Sequence, residues 1–182
     1  MKLLAIDTTT EKIIIGLYNE GKRSFFVGEK GSKRHNSALL TNIDDILSEN
    51  NLNINDIDVF GVVSGPGSFT GIRIGVATIN ALAFATKKPI VEITSLEQND
   101  DGSNKMVLLD CKHNNYYAVI FGEETQYLAL NGDEINNYDI KKEYLTDSDE
   151  GKILDKCIKK AERSTFVDKA KPFYLKKSSA ER

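Results

Sequence analysis

The sequence predicts a two-lobed α/β protein whose second lobe is short. Three observations lead there. β-rich runs at residues 2–6, 13–18 and 24–27 are separated by polar turns. A fourth apolar run, residues 57–63, is joined by a glycine-rich turn to a long helical pattern over residues 71–87. After a polar stretch, residues 99–104, the chain starts again on β-rich runs.

Taken in order, residues 2–6 read as a buried strand that ends in the polar turn Asp7, Thr8, Thr9, Thr10. Asn19, Glu20, Gly21 and Lys22 form the next hairpin turn. Residues 35–50 carry Leu39, Leu40, Ile43, Ile46 and Leu47 at the spacing of one helix face, with Asp44, Asp45 and Glu49 on the other. At about 100° per residue, the helix over residues 71–87 has two apolar faces. Ile72, Val76, Ile79 and Ala83 fall on one, and Ile74, Ala77, Ala81 and Ala85 on nearly the opposite one. A narrow stripe of Arg73 and Asn80 divides them on one side and Thr78 on the other. Apolar residues all round imply burial on two sides. The small residues of the second face suit close helix approach, to the helix at 35–50 or to another subunit. Residues 90–93 make a fifth strand and complete an α/β half, residues 1–98.

The second half, residues 99–182, repeats the opening weakly, with strands at 106–109, 116–121 and 125–130. Asp110 holds a place like that of Asp7. One further helix is clear, residues 149–163, with Ile153, Leu154, Cys157, Ile158 and Ala161 on one side. The half is too short for a full second nucleotide-clamping lobe.

Bulk properties narrow the function. With 40% hydrophobic and 28% charged residues, the 182-residue chain has the make-up of a soluble globular protein. A net charge of −3 gives no general attraction to a phosphate backbone. The uncharged stretch 74–86 is too short for a bilayer, and the start lacks a signal-peptide core, so the cytoplasm is expected. Two cysteines make no disulfide framework.

Three chemistries are open to residues of these types. Gly65, Gly67, Ser68 and Gly71, at a helix start, suit either an anion cradle or a tight ligand-free turn. Asp7, Thr8 and Thr9 would meet that turn at the strand ends, where α/β folds place ligands. The turn fits neither the Walker pattern nor Gly-x-Gly-x-x-Gly and contains no lysine, so weak or no nucleotide binding is expected. For a metal, His35 and His113 are the only histidines and lack ligand spacing, so none is expected. For a nucleophile, Ser68 lacks a Gly-x-Ser-x-Gly elbow, and Cys111 beside Lys112 and His113 would point away from Lys112 if the segment were a strand. No catalytic residue is assigned.

The turn Gly65-Pro66-Gly67-Ser68-Phe69-Thr70-Gly71-Ile72-Arg73-Ile74-Gly75 resembles the signature of the TsaB (YeaZ) family. Residues 4–8, Arg34-His35-Asn36-Ser37, residues 94–97, and Pro172-Phe173-Tyr174-Leu175 with Ala180-Glu181 agree in order. The resemblance is dense over residues 1–98 and thin from 99 to about 170. It implies the actin-like ATPase (ribonuclease H-like) fold, which a strand ending in Asp, hydroxyls and an antiparallel return also open.

It further implies a non-catalytic, activating subunit in the synthesis of threonylcarbamoyladenosine beside the anticodon of ANN-decoding tRNAs. The partners would be a TsaD-type catalytic paralogue and a TsaE-type ATPase, with self-dimers when alone, and tRNA met only through the complex. ATP and a metal ion would belong to the complex rather than to this chain. The expected partner surface is Arg34, His35, Leu39, Ile74, Ala77, Thr78, Ala81 and Ala85. The alternatives are a small phosphotransferase or ATPase using Asp7, and, on an old family label, a peptidase. Where the paralogues carry His-x-x-x-His, this chain has His35 and Leu39, and where relatives read Asp-Ala-Arg it has Asp110, Cys111 and Lys112.

Overall fold

A computed structural model describes residues 1–29 and 39–175. Strands β1 (Lys2–Asp7), β2 (Lys12–Asn19) and β3 (Lys22–Glu29) form an antiparallel meander. Helix α1 (Leu39–Glu49) leads to β4 (Val59–Val63), and α2 (Phe69–Thr86) leads to β5 (Ile90–Ile93). Both strands join in parallel on the β1 side, giving the order β3-β2-β1-β4-β5. A second sheet, ordered β8-β7-β6-β9, is built from β6 (Lys105–Asp110), β7 (Asn115–Phe121), β8 (Gln126–Asn131) and β9 (Lys142–Leu145). The short α3 (Gly132–Ile135) precedes β9, and α4 (Glu150–Glu162) follows it.

The two sheets repeat one plan: a three-strand meander, then a parallel strand beside the first. The repeat extends to the turns. Asp7 closes β1 by accepting from the Thr9 amide, and Asp110 closes β6 by accepting from the Lys112 amide, at 2.7 Å in each case. Both are Asx turns, which suit an aspartate at a strand end.

Alternation along the first sheet sorts its side chains onto two faces. Leu4, Ile6, Phe60 and Val62 meet α1 and α2 on one side. Leu3, Ala5, Val59, Val63 and Val91 meet Ile153, Leu154, Cys157 and Ile158 of α4 on the other. Helix α4 therefore leaves the second sheet and covers the back of the first. Gly61 permits the approach, since a Cβ there would lie 2.9 Å from Cys157 Sγ. Asp149 caps the helix, and three lysines one turn apart lace it to the linker. Lys152 donates to Asn99, Lys156 pairs with Asp100 and Lys160 with Glu97.

The structure departs from the sequence expectations in identifiable places. Strand β4 starts at Val59 because residues 54–56 form a 3-10 turn capped by Asn53. Helix α2 begins at Phe69, because the Ser68 hydroxyl caps it. At 18 residues α2 is, by length and composition alone, long enough to cross a membrane, which the shorter stretch 74–86 did not suggest. In α1, Leu40 is 56% exposed and Asn42 takes an inward place instead. Helix α3 and strand β9 were not anticipated: the first is a single turn, and the second is half-exposed.

Candidate functional site

The ends of β1 and β4 bring the sequence-predicted anion candidates together. The Asp7 carboxylate is 1% exposed. Its Oδ1 accepts from the Thr9 amide and hydroxyl, both at 2.7 Å, and its Oδ2 accepts from the Ser148 hydroxyl at 2.6 Å. Thr8 Oγ1 donates to the Gly71 carbonyl at 2.6 Å, and the Ser68 amide donates to the Thr9 carbonyl at 2.6 Å. The β1–β2 turn is thus pressed onto the start of α2. Gly67 and Gly75 make room for this: a Cβ would come within 2.4 Å of Thr9 O at the first and of Thr8 Oγ1 at the second. At Gly65, φ is +118° and a Cβ would lie 2.6 Å from Phe173 O, so only glycine suits the turn.

These bonds consume much of what a phosphate would need. The Gly71 amide donates to Ser68 Oγ at 3.3 Å and the Ile72 amide to the Ser68 carbonyl at 2.8 Å. A cleft of about 710 Å³ opens beside the turn, between the two sheets. Thr9, Lys12, Ser68, Cys111, Lys112 and Asp147 are among its lining residues, and Lys12 forms an ion pair with Asp147 across it. Cys111 and Lys112 both line this cleft, where residues 112–114 adopt left-handed backbone, φ 53–67°, and turn the chain off the strand. The expectation that they point apart assumed a strand, and the segment is a turn instead. His113 lies in the same turn, and His35 falls outside the described residues. Among the described residues, no group of three His, Cys, Asp or Glu side chains is placed to hold a metal.

The second feature is the outer side of α2. Ile72, Val76, Ile79 and Ala83 are buried on the first sheet, as the periodicity predicts. Ile74 is 47% exposed and Phe84 is 88% exposed, and Ala77, Ala81 and Ala85 lie open beside them. Thr78 is half-buried. Of the other residues expected at a partner surface, Leu39 is turned into the core of the first lobe, its place on the inward stripe of α1 leaving it 8% exposed. Arg34 lies outside the described residues, as His35 does.

The polar stripe on α2 also has an occupant. Asn80 grips the Ala170 backbone in both directions, accepting from its amide at 2.9 Å and donating to its carbonyl at 3.0 Å. Arg73 donates to Tyr174 Oη at 3.2 Å and lies 3.8 Å from the centre of the Phe69 ring. Phe69 in turn stacks on Tyr174.

The family model described as TsaD, tRNA N6-adenosine threonylcarbamoyltransferase, matches residues 26–179. A Haemophilus influenzae protein named tRNA threonylcarbamoyladenosine biosynthesis protein TsaB is 31% identical over 124 residues, 64% of this chain and 52% of that protein. Its Escherichia coli namesake is 34% identical over 96 residues, 53% of this chain and 41% of that protein. The chain belongs to the TsaB/YeaZ family. The match spans about half or less of the length of these curated relatives. The solved structure of YeaZ from Pseudomonas aeruginosa has the same fold, with a TM-score of 0.75 at 20% identity, covering 96% of this chain and 99% of that one. The fold is thus the two-lobed, actin-like one of the TsaB/YeaZ proteins.

Two elements of this TsaB/YeaZ site escaped the sequence reading. Ser148 sits in a polar stretch with no motif, and only the course of the chain into α4 brings it to Asp7. Residues 166–174 form a strap along α2. Arg73 and Asn80 on α2 hinted at its seat, and Pro172 to Tyr174 stood out only through the family resemblance.

Proposed function

We propose that the chain is a non-catalytic subunit in the biosynthesis of threonylcarbamoyladenosine on tRNA, and that it binds a TsaD-type catalytic paralogue through the outer face of α2. The observation that carries this reading is that face, with Ile74 and Phe84 exposed and Ala77, Ala81 and Ala85 open beside them. An apolar stripe left open marks an interaction site. Alanines at i, i+4 and i+8 let a partner helix approach to about 8–10 Å. The names of the curated relatives supply the pathway. The geometry of Asp7 supports a non-catalytic role, since both of its oxygens already accept hydrogen bonds from Thr9 and Ser148. A TsaE-type ATPase would join the pair, and tRNA would be met through the complex, consistent with the net charge of −3. Without its partner the chain would pair with itself through the same face.

The test is size-exclusion chromatography with light scattering, on the chain alone and mixed with the TsaD-type paralogue of its organism. A one-to-one complex is expected, abolished by Ala81→Arg with the thermal melt unchanged. A complex indifferent to Ala81→Arg removes α2 as the interface. ATP turnover by the chain alone, lost in Asp7→Ala, would establish the phosphotransferase reading instead.

A further inference from the structure

The strap does more than occupy a polar stripe. Its course along α2 is fixed at several points. The Val167 amide donates to the Ile90 carbonyl at 2.9 Å, Asn80 holds Ala170, and the Phe173 amide donates to the Ser64 carbonyl at 2.9 Å. Between helix and strap lie two hollows, of about 1050 and 600 Å³, which share Asn80 and Lys169 and so form one groove. Ala77, Ala81 and Phe84 line its apolar side. Its rim is basic: Lys87 and Lys88 at the end of α2, Lys169 and Lys171 on the strap, against one acid, Asp168, among the described residues. Among the described residues, none of these four lysines has a salt-bridge partner. A groove with an apolar floor and a rim of one charge sign selects an occupant of matching pattern.

We propose that the strap is the second wall of the partner-docking groove, and that the groove takes an amphipathic helix of the TsaD-type partner with Asp or Glu flanking its apolar stripe. The apolar stripe covers Ala77, Ala81 and Phe84, and the acidic flank meets Lys169 and Lys171. Asn80 is a positioning residue, since it holds the wall that the partner touches. The inference rests on the reading of α2 as the partner-facing helix, and adds to it which side of α2 is used and which charge the partner brings.

The experiment measures affinity between the full chain and the purified TsaD-type paralogue by calorimetry at low and high salt, for wild type, Ala81→Arg and Lys169→Glu/Lys171→Glu. Both lysines are exposed, so the double variant keeps its melting temperature. The expected result is at least about tenfold weaker binding at low salt, with a flatter salt dependence than wild type. A second variant, Asn80→Ala, is expected to raise amide exchange across residues 166–174 and to weaken binding with the salt dependence retained. If the charge reversal changes neither affinity nor salt slope while Ala81→Arg still abolishes binding, the strap inference falls and the α2 interface stands. If neither variant changes binding, both fall. If the reversal disrupts only self-association, the occupant is a second copy of this chain, and the proposal is overturned.

Discussion

Cys157 lies at the centre of the α4 contact, fully enclosed against Gly61, and burial pushes its thiol from an ordinary 9.0 up to about 12. A folded pKa above the unfolded one means that the native state keeps its proton longer. The stability involved is whole below about pH 9 and is lost as the pH climbs towards 12. At pH ~10.5 the loss is about 2 kcal/mol. Urea unfolding at pH ~8 and pH ~10.5 tests this. Wild type should lose about 2 kcal/mol more between the two than Cys157→Ala does. Tyr127, also raised to about 12 chiefly by burial, contributes equally to both proteins. Equal losses would mean that water reaches the thiol. At this scale the sequence was a partial guide. The small inward residue of an amphipathic helix was legible in the spacing of Ile153, Leu154 and Cys157, but its glycine counterpart on β4, nearly a hundred residues earlier, was not.

Elements were read best where their periodicity is strong and local. Both faces of α2 were legible, because eight apolar residues fall into two sets at helical spacing, and the inward set is the buried one. Helix α4 was placed almost to the residue, since Asp149 caps it and Arg163 ends it. Its destination was hidden. An amphipathic pattern says that one face is buried, not against which sheet, and α4 covers the first sheet rather than the second. This makes it central to stability. Leu154 is fully buried, so Leu154→Ala should cost about 2–5 kcal/mol in thermal or urea unfolding. A loss confined to the second sheet, with the first protected in hydrogen exchange, would contradict the packing seen here.

For the whole molecule, polar contacts tie down the linker between the two sheets. The Asp149 amide donates to Gln98 Oε1 at 2.8 Å, and Lys105, enclosed between Glu143 and Asp101, pins the linker to β9. Burial opposes the charge on Lys105, but its hydrogen bonds to Glu143 and Asp101 hold its pKa above the ordinary value. Asp7 and Ser148 make a further polar contact. A double-mutant cycle with Asp7→Asn and Ser148→Ala should return a coupling of about 1–3 kcal/mol in unfolding free energy. A coupling near zero would show that the fold does not depend on this bond. The meeting of Asp7, Thr8 and Thr9 with the glycine turn was legible, because both lie at strand ends of one sheet. Ser148 was not, for nothing in residues 146–149 announces a contact with the start of the chain.

The course of α4 has a consequence for how the chain reaches this state. Leu3 and Ala5 on β1 leave the ribosome long before α4, the helix that covers them on the back of the sheet. Until then the first sheet has one finished face and one greasy, wet one. The nascent protein therefore passes through a long window in which a chaperone, or a neighbouring copy, meets a surface that the finished molecule never shows.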